Sequence, residues 1–454
     1  MSTQFYFSKK EFRPYQKTRQ RKNRKTACLA PSASMFLGLR GKVYSCCFNK
    51  TFPLGTYPAQ SLQEIWQGSS RKKLISALAQ RDFSQGCQAC FELIESQNYA
   101  GLPAKNYEDL QAGHLEFPVR MEFELENTCN LECVMCRGEF SSAIRKNREG
   151  LPPIPKPYGA QLIEELKPFI PHLKKAHFLG GEPFLINSYL EIWELMGEMN
   201  PKIEISVQTN GSILTDRIRK ILQKGRFSIG VSLDSIDPKT FAFVRKNGIF
   251  EKVWKNVLEL RDYCQQRGSD FHISYCPMTH NWRELPEVIT KLNAINCRVY
   301  FNVVYYPKDC AFTSYREPEL RNLIQYLSEH EHALPSTTEL EKKNKEAYQG
   351  VLQLAIHWLE SENYVTEQYE NWEAYLSSLK IFIVNAEQIH AETAFLDIRD
   401  KLEFLLNAAD QQGKKDEAIK KILEVPFQDL YNHARTLDKD QLLEVFRGFA
   451  LPMA

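Results

Sequence analysis

The chain has 454 residues, 43% of them apolar and 12% aromatic, which is enough for two or three structural units with sizeable cores. Charged residues make up 25% and the formal net charge is +2, so the overall balance gives no sign of an obligate polyanion partner. No run approaches the roughly 18 apolar residues of a membrane span, and the N-terminal sequence lacks the apolar stretch of a secretory signal. We therefore expect a cytoplasmic protein without a membrane partner.

The first 26 residues are strongly basic. Nine lysines and arginines lie within residues 1–26, against a single acid, Glu11. Such a segment can bind a nucleic acid or an acidic peptide, or it can be a solvated arm without fixed structure. An isolated basic tail favours the second interpretation, so the sequence predicts a flexible arm over 1–26.

Cysteines are concentrated in the N-terminal third of the chain. Eight of the twelve precede residue 137, and five of these lie within residues 27–100. In a reducing compartment this number argues against a disulfide framework and favours metal binding or redox chemistry. The other four are scattered singly, and since buried, inert cysteines are the commoner case, we assign them no role. They are Cys264, Cys276, Cys297 and Cys310.

A linker with Gly101, Pro103 and Gly113 leads into an alternating region, residues 115–310. Six strand-like runs alternate there with segments of helical spacing. The runs are 119–126, 176–181, 202–210, 227–234, 271–277 and 298–306. This order predicts an α/β fold whose parallel sheet curls into a partial (β/α)6 barrel of the TIM type. In such folds the chemistry lies at the carboxyl ends of the strands.

Residues 311–454 are rich in Glu, Lys, Leu and Gln and show the 3.6-residue spacing of amphipathic helices. The sequence predicts a C-terminal helical region there. This region could recognise a peptide or protein substrate, or it could cap the core or form a dimer surface. The second interpretation is favoured, because amphipathic helices are more often structural.

The first predicted strand leads into the segment ENTCNLECVMC, which contains Cys129, Cys133 and Cys136. Thiolates at this spacing can bind three irons of one 4Fe–4S cluster and leave the fourth iron open. An amino acid can fill that position through its amine and carboxylate. A structural zinc site normally takes four ligands, and three inert core thiols would not cluster on a polar loop. The spacing therefore favours a cluster with an open iron.

The segment CNLECVMC after a first strand resembles the defining loop of the radical S-adenosylmethionine (radical SAM) superfamily. The resemblance continues in GGEPF (180–184) at the end of the second strand, TNG (209–211) at the third and SLD (232–234) at the fourth. It covers roughly residues 115–310. The cysteine segment and GGEP are its specific parts.

The resemblance implies a reaction and its cofactors. The cluster passes one electron, received from a donor such as flavodoxin or ferredoxin, into S-adenosylmethionine, and a 5′-deoxyadenosyl radical then abstracts hydrogen from a substrate. The three cysteines of the segment are the implied cluster ligands, and no catalytic residue is assigned. The implied contacts of S-adenosylmethionine are Gly180, Gly181, Glu182, Pro183, Asn210, Ser232 and Asn281.

The upstream cysteines resemble the Twitch half of a SPASM domain, which binds an auxiliary 4Fe–4S cluster. The pattern is Cys28, then Gly41 and Cys46, and a closing Cys87-x-x-Cys90. It implies these four cysteines as ligands of one auxiliary cluster in a small N-terminal iron–sulfur domain over 27–100. Cys47 could replace Cys46, and a four-cysteine zinc ribbon is the competing interpretation. The family usually carries this domain after the barrel, whereas here it comes first.

Three functions follow, in order of preference. The first is a radical SAM enzyme that modifies a peptide or protein side chain, as many SPASM and Twitch relatives do. The second is the same chemistry on a small molecule, such as a sugar, a nucleotide or a natural-product precursor. The third is a non-catalytic metal–cysteine protein that binds nucleic acid through the basic arm, which we disfavour because GGEPF would have no purpose in it.

Overall fold

A computed structural model of the chain describes residues 5–99, 101–110, 116–360, 371–387, 391–411, 413–423, 425, 430, 431, 434 and 438–448. Gly113 of the predicted linker and residue 115, the predicted start of the core, lie outside the described residues. The chain divides into two compact units. The first unit is built from Met1–Cys129, Ile154–Leu233 and Glu251–Ile273, and the second from Asn130–Pro153, Asp234–Phe250 and Ser274–Ala454.

The strands are β1 (Ser34–Leu37), β2 (Lys42–Tyr44), β3 (Gly55–Thr56), β4 (Arg120–Phe123), β5 (Lys175–Phe178), β6 (Glu204–Thr209), β7 (Arg226–Ser232), β8 (Phe271–Tyr275) and β9 (Arg298–Phe301). The helices up to residue 267 are α1 (Lys9–Lys17), α2 (Ala30–Ala33), α3 (Leu62–Gln67), α4 (Ser69–Ala79), α5 (Gln88–Glu95), α6 (Ser142–Asn147), α7 (Ala160–Leu166), α8 (Asn187–Met199), α9 (Asp216–Lys224), α10 (Pro238–Val244) and α11 (Phe250–Arg267). Those that follow are α12 (Leu285–Ala294), α13 (Glu317–Glu331), α14 (Glu339–Glu360), α15 (Trp372–Glu387), α16 (Ala391–Asp410), α17 (Lys415–Leu423) and α18 (Lys439–Gly448).

The predicted α/β fold with a parallel sheet is confirmed. In the first unit the sheet runs in the order β3-β2-β1-β4-β5-β6-β7-β8, and the pairs β4–β5, β5–β6 and β6–β7 are parallel. Strand β8 crosses from the first unit into the second, where β9 is its neighbour. Because the central strands are parallel, their carboxyl ends meet at one edge of the sheet, which is where the motifs of the sequence lie.

The helices of the first unit cover one face of this sheet. Strand residues on that face are apolar, as the alternating burial of β6 and β7 shows. Trp193 of α8 packs edge-on against Phe178 of β5 and Phe227 of β7, at ring separations of 5.2 and 5.6 Å. The opposite face carries polar side chains, which parallel sheets buried on both faces ordinarily lack.

The N-terminal cysteine region joins the same sheet. Strand β1 pairs in parallel with β4, and β2 and β3 continue it antiparallel. Gly41, with φ +78°, lies at the turn between β1 and β2, where a Cβ would stand 2.0 Å from the Tyr57 carbonyl oxygen. Strand β1 has only four residues, all buried, and therefore lacks the alternation of polar and apolar residues that predicts a strand. Its pairing with β4 is known only from the structure.

The basic N-terminal segment, which we expected to be a flexible arm, is folded against the first unit. Ser8 and Glu11 form a capping box at the start of α1. Phe12 and Tyr15 are buried, and Arg19 pairs with Glu108 at 2.9 Å. The reason is spacing: two aromatic residues three apart form an apolar stripe on a helix whose other face carries the charges. The prediction of a flexible arm considered the net charge of the segment and not the spacing of its aromatic residues.

The helices of the second unit beyond residue 371 enclose their own core, which agrees with the predicted C-terminal helical region. Helices α15, α16 and α17 bury Leu379, Ile398 and Ile422, and Phe446 of α18 packs in the same cluster. Within the described residues, none of the helices combines the length and the hydropathy that crossing a membrane requires.

Candidate active site and cysteine clusters

The GGEP loop (180–183) lies directly on the backbone that leads into Cys129. The Gly181 N–H donates to the Glu126 carbonyl at 3.2 Å, and the Glu182 N–H donates to the Thr128 carbonyl at 2.7 Å. A Cβ at Gly181 would stand 2.2 Å from the Thr128 carbonyl oxygen, and Gly180 has φ +97°. Both glycines are therefore required by close approach and backbone conformation.

Glu182 joins the GGEP loop to the end of β6. Its carboxylate is fully buried and accepts hydrogen bonds from the Thr209 hydroxyl at 2.6 Å and the Asn210 N–H at 2.6 Å. It also accepts from the Phe184 N–H at 3.0 Å. These three donors satisfy the hydrogen-bonding needs of the buried carboxylate oxygens. These contacts make Glu182 a clamp between two of the motifs.

Asn210 connects the third motif to the first. Its side-chain amide lies 3.8 Å from Cys129 Sγ, and its oxygen accepts from the Ser212 N–H at 2.9 Å. An N–H near a thiolate stabilises its negative charge and tunes a bound cluster. Thus Cys129, the GGEP loop and Asn210 meet at the carboxyl edge of the sheet in the first unit.

Ser232, at the end of β7, accepts a hydrogen bond from the Gln208 side-chain amide at 2.9 Å. Gln208 lies on β6, one strand away, on the face opposite the helices. The structure thus places Ser232 at the same edge of the first unit as Asn210, with its hydroxyl oriented by a neighbour.

Cys133 and Cys136 belong to the second unit. The Arg245 guanidinium lies 3.9 Å from Cys133 Sγ and forms a buried ion pair with Asp234 at 2.5 Å. Asp234 has φ +58° and is fully buried. Strain of this kind at a buried charged residue points to a functional constraint.

The polar loop around these two cysteines is held by its own side chains. Hydrogen bonds from Asn147, Asn247 and Lys246 lower the pKa of Glu132 to about 2. Arg148 donates to the Cys133 carbonyl at 3.3 Å and also to the Cys136 carbonyl. This network explains why a glutamate occurs in the cysteine segment: Glu132 ties the segment to Asn147, Lys246 and Asn247.

Asn281 is engaged by backbone groups of the second unit. Its amide donates to the Asp234 carbonyl at 2.8 Å and the Cys276 carbonyl at 2.9 Å, and its oxygen accepts from the Met278 N–H at 2.7 Å. These bonds use both donors and one acceptor site of the side chain. Asn281 therefore fixes the loop after β8.

Cys276 lies within this loop. Its N–H donates to the Asp234 carboxylate at 2.6 Å. Burial and the neighbouring Asp234 carboxylate raise the pKa of its thiol well above the usual value. A neutral thiol of this kind is a poor nucleophile.

The four N-terminal cysteines of the Twitch-like pattern, Cys28, Cys46, Cys87 and Cys90, all lie in the first unit. Burial raises the pKa of each thiol, that of Cys46 to about 12, and repulsion from neighbouring thiols of the set adds to the shift at Cys46, Cys87 and Cys90. The Ala30 N–H donates to Cys28 Sγ at 3.4 Å. Thiols whose charges act on one another's pKa are neighbours in space.

Cys47 has a different environment. Burial raises the pKa of its thiol, and the next contributions come from the carboxylate of Glu122 on β4 and from the adjacent Cys46. Cys46, in contrast, packs with Cys28 against one apolar cluster. The two adjacent thiols thus differ in surroundings, and Cys46 is the one that packs beside Cys28.

The donor chemistry around the four thiols suits an iron–sulfur cluster. The Asn49 amide donates to Cys87 Sγ at 3.4 Å, and N–H groups directed at sulfur are the usual surroundings of cluster thiolates. The described part of the chain contains no group of three or more His, Cys, Asp or Glu side chains arranged to hold a metal ion. Ligands of a 4Fe–4S cluster bind separate irons, so they need not converge as the ligands of one zinc ion do.

Sequence reasoning missed Asp234 and Arg245 as a pair. Asp234 was noted only as the end of SLD, and nothing in the sequence links it to a residue eleven positions later. The available signal was an arginine directly after the apolar helix α10, where a charge is ordinarily exposed. Its burial becomes apparent only in the structure.

Two family models match the chain. Residues 124–304 match the radical SAM superfamily, and residues 28–91 match the SPASM iron–sulfur cluster-binding domain. The matched ranges contain both cysteine groups and the GGEP loop. The domain order, iron–sulfur domain first, is the one that the sequence indicated.

Curated relatives are similar over part of their length. A probable GTP 3′,8-cyclase of Methanocella arvoryzae is 31% identical over 30% of this chain and 41% of its own. The molybdenum cofactor biosynthesis protein moc-5 of Caenorhabditis elegans is 27% identical over 32% and 23%. A probable GTP 3′,8-cyclase of Methanocaldococcus jannaschii is 25% identical over 37% and 53%. The chain thus spans between 23% and 53% of the length of these relatives.

Solved structures give weaker likenesses. Native anSMEcpe with bound AdoMet has 19% identity and a TM-score of 0.37, over 47% of this chain and 61% of that one. Streptococcus suis SuiB bound to the precursor peptide SuiA has 16% identity and a TM-score of 0.35, over 54% and 58%.

Proposed function

Since the chain carries a SPASM iron–sulfur domain followed by a radical SAM domain and is therefore a radical SAM enzyme, we propose that it acts on a small molecule. When bound, a 4Fe–4S cluster and S-adenosylmethionine supply a 5′-deoxyadenosyl radical that abstracts hydrogen. The protein binds the substrate, orients it and excludes water and oxygen. The observation that carries the radical chemistry is the meeting of Cys129, the GGEP loop and Asn210 at one edge of the sheet, and the substrate class is supported by the curated relatives.

The cluster that binds S-adenosylmethionine is assigned to Cys129, Cys133 and Cys136. Their spacing within eight residues supports this, as do an amide near Cys129 Sγ and a guanidinium near Cys133 Sγ. The auxiliary cluster is assigned to the four N-terminal thiols within a domain over 27–100, with Cys46 rather than Cys47 as ligand. Four thiolates complete the coordination of a cube, so this cluster has no iron left for substrate.

The contacts with S-adenosylmethionine divide into direct and indirect ones. Gly180, Gly181 and Pro183 offer backbone, and Asn210 and Ser232 offer side chains, at the carboxyl edge of the sheet. Glu182 and Asn281, in contrast, support the site through the hydrogen bonds that they make within the protein. The core over 115–310 would hold the reaction, and the helices over 311–454 would be structural.

A small-molecule substrate is supported by the curated relatives. Two of the three relatives described above are named for a cyclisation of GTP. This favours the small-molecule alternative over the peptide or protein side chain that we preferred from the sequence. A reductant is required in either case, and a flavodoxin or ferredoxin in the cytoplasm is our proposal for it.

Anaerobic reconstitution with iron and sulfide, followed by reduction with S-adenosylmethionine present, tests the proposal. We expect about eight irons per chain from two clusters and release of 5′-deoxyadenosine. Replacement of Cys129, Cys133 and Cys136 by Ala should abolish the release, whereas Cys264→Ala, a buried thiol of α11, should not. Bound zinc without 5′-deoxyadenosine would contradict the proposal.

A further inference from the structure

The basic N-terminal segment belongs to the first unit, and it leads directly to Cys28, a ligand of the proposed auxiliary cluster. Two of its buried side chains bind the chain just before that cysteine. The Tyr15 hydroxyl donates to the Ala27 carbonyl at 3.2 Å, and Arg19 Nη1 donates to the Thr26 carbonyl. The segment thus fixes both residues that precede Cys28.

Arg19 is held by several partners. Its side chain is 0% exposed, and its Nε pairs with Glu108 at 2.9 Å. The guanidinium carbon lies 5.4 Å from the centre of the Tyr15 ring. Glu108 also accepts from the Gln20 N–H at 3.1 Å and from the Asn23 amide at 3.0 Å, so it fixes the turn after α1 as well. Because the guanidinium is planar, bonds at Nε and Nη1 also fix the position of its third nitrogen, Nη2.

This third nitrogen of Arg19 has no acceptor from the protein. Nη2 is buried, and the described residues give it no hydrogen-bond partner. A buried donor without an acceptor destabilises a folded protein, and the cost is larger when the group is charged. A bound group that supplies the acceptor removes this cost. Nη2 therefore indicates a bound acceptor at this place in the first unit.

The charge of Arg19 acts on the thiol of Cys28. Burial raises the pKa of this thiol, and the guanidinium of Arg19 opposes the rise more strongly than the carboxylate of Glu108 adds to it. Burial also raises the pKa of Tyr15, and the charges of Arg19, Cys28 and Cys90 act on the same hydroxyl. The guanidinium is therefore closer to the Cys28 sulfur than its carboxylate partner is.

Lys105 is the other cation beside Glu108. Its ammonium is partly exposed and donates to the Thr18 hydroxyl at 2.8 Å and to the Thr18 carbonyl at 3.0 Å. Because this ammonium is bonded to Thr18, we assign the positive charge next to Cys28 to Arg19.

Neutral N–H groups face the other thiols of the set. The Asn49 side-chain amide donates to Cys87 Sγ at 3.4 Å. Burial raises the pKa of Cys46 and of Cys90, and hydrogen bonds from the backbone N–H groups of Asn49 and Ala104 oppose that rise. N–H groups directed at sulfur are typical of iron–sulfur sites. Arg19 differs from these donors because it carries a full positive charge.

We infer that Arg19 donates a charge-assisted hydrogen bond to a sulfur of the auxiliary cluster, on the side of Cys28. This rests on the proposed function, which assigns that cluster to the four N-terminal thiols. Arg19 is a positioning residue: it binds no iron, and its charge stabilises the reduced, more negative cluster. The basic N-terminal segment is then a working part of the cluster site.

Pulsed electron paramagnetic resonance tests this contact with Arg19 in place. The background protein is the full chain with Cys129, Cys133 and Cys136 replaced by Ala and loaded with iron, so that the auxiliary cluster gives the signal on its own. With arginine labelled by ¹⁵N at both Nη atoms, the reduced cluster should show a ¹⁵N coupling.

Two labelled variants assign the coupling to one arginine. Arg19→Lys should abolish it, whereas Arg120→Lys, at the arginine that pairs with Glu122 on β4, should keep it. Absence of the coupling in the background protein, its persistence in Arg19→Lys, or its loss in Arg120→Lys overturns the inference.

The reduction potential of the auxiliary cluster is the second readout. Arg19→Gln removes the charge, so reduction of the cluster should become about tenfold less favourable, the effect of losing one hydrogen bond to a charged group. Arg13→Gln, at an exposed position of α1, removes the same charge from the same helix and should keep the potential of the background protein. Equal potentials in Arg19→Gln and Arg13→Gln overturn the inference.

Iron content separates this inference from the proposed function. We expect about four irons per chain in the background protein, the load of one cluster. No iron there contradicts the assignment of the auxiliary cluster and with it this inference, whereas four irons without the ¹⁵N coupling overturn this inference alone. If Arg19→Gln loses its iron, the potential is measured in the double variant Arg19→Gln with Glu108→Gln, which leaves no unpaired carboxylate, and the same criterion applies.

Discussion

The Arg245 guanidinium lies 3.9 Å from the sulfur of Cys133. Its position is fixed by a buried ion pair with Asp234, whose carboxylate also accepts from the Cys276 N–H. An arginine held in this way cannot move away from the sulfur without leaving a buried carboxylate unpaired. The result is a permanent positive charge beside one thiolate of the proposed cluster.

Replacement of this charge should change the reduction potential of the cluster. A nearby cation favours the reduced, more negative state, so Arg245→Gln should lower the potential by an amount on the order of tens of millivolts. Electron paramagnetic resonance during a redox titration without S-adenosylmethionine measures it. Arg245→Lys is the matched control, because it keeps the charge and should stay nearer the wild-type potential.

Loss of folding has to be separated from this effect. Removal of one partner of a buried pair costs about 3–5 kcal/mol of stability. The unfolding temperature of Arg245→Gln should therefore be markedly lower than that of the wild type. The double variant Arg245→Gln with Asp234→Asn removes both charges and should recover part of the stability. If the potential of Arg245→Gln equals that of the wild type in a folded, iron-loaded protein, the electrostatic role of Arg245 is refuted.

Gly181→Ala should displace the segment that leads into Cys129. The added Cβ would stand 2.2 Å from the Thr128 carbonyl oxygen and 2.6 Å from the carbonyl carbons of Asn127 and Thr128, which are backbone and cannot rotate away. We expect the iron content to fall from about eight to about four per chain, since the auxiliary cluster stays. Iron and sulfide analysis with Mössbauer spectroscopy measures it.

Gly350→Ala is the control for this change. Gly350 lies in α14 and a Cβ there would meet nothing within 4 Å, so the substitution should keep all the iron. It should also raise the free energy of unfolding by about 0.5–1 kcal/mol, because glycine is unfavourable within helices. Full iron content in Gly181→Ala would show that the loop tolerates the displacement.

Much of the fold could be predicted because its patterns are local. The six strands of the core alternate with helices in the order that the periodicity indicated, and the C-terminal helices follow their apolar spacing. Strand β1 could not be predicted in this way, because four consecutive buried residues beside β4 show no alternation. Helix α1 was misjudged because its charges outnumber the two aromatic residues that anchor it.

The residues of the candidate site could be predicted where a sequence motif fixes the backbone. They could not be predicted where a residue's role depends on its burial and on partners from distant segments. GGEP was recognised from glycines that the structure requires at close approaches. The roles of Glu182 and Asn281 could not be inferred, since each is determined by partners on other segments. The same holds for Arg245, because its role depends on its contacts with Asp234 and Cys133.

Cys46 and Cys47 should differ in their effect on the auxiliary cluster. Cys46 packs beside Cys28 and raises the pKa of the Cys87 and Cys90 thiols, whereas Cys47 is hydrogen-bonded to the Glu122 carboxylate. Cys46→Ala should therefore reduce the iron content to about four per chain, the load of one cluster, while Cys47→Ala should keep about eight. The reverse result would make Cys47 the ligand.

His177 should make stability depend on pH near neutrality. Burial lowers the pKa of its imidazole below the usual 6.5, so the folded state holds it neutral. When the pH falls below 6.5 the unfolded chain takes up a proton there that the folded protein does not, and stability is lost. The contribution is fully present above pH 6.5.

We expect the unfolding temperature of the wild type to fall between pH 7 and pH 5.5. In His177→Gln, which keeps a polar partner for Ser206, this fall should be smaller. Thermal unfolding of both proteins across this range measures the difference, and parallel curves would mean that His177 titrates alike in the folded and unfolded states.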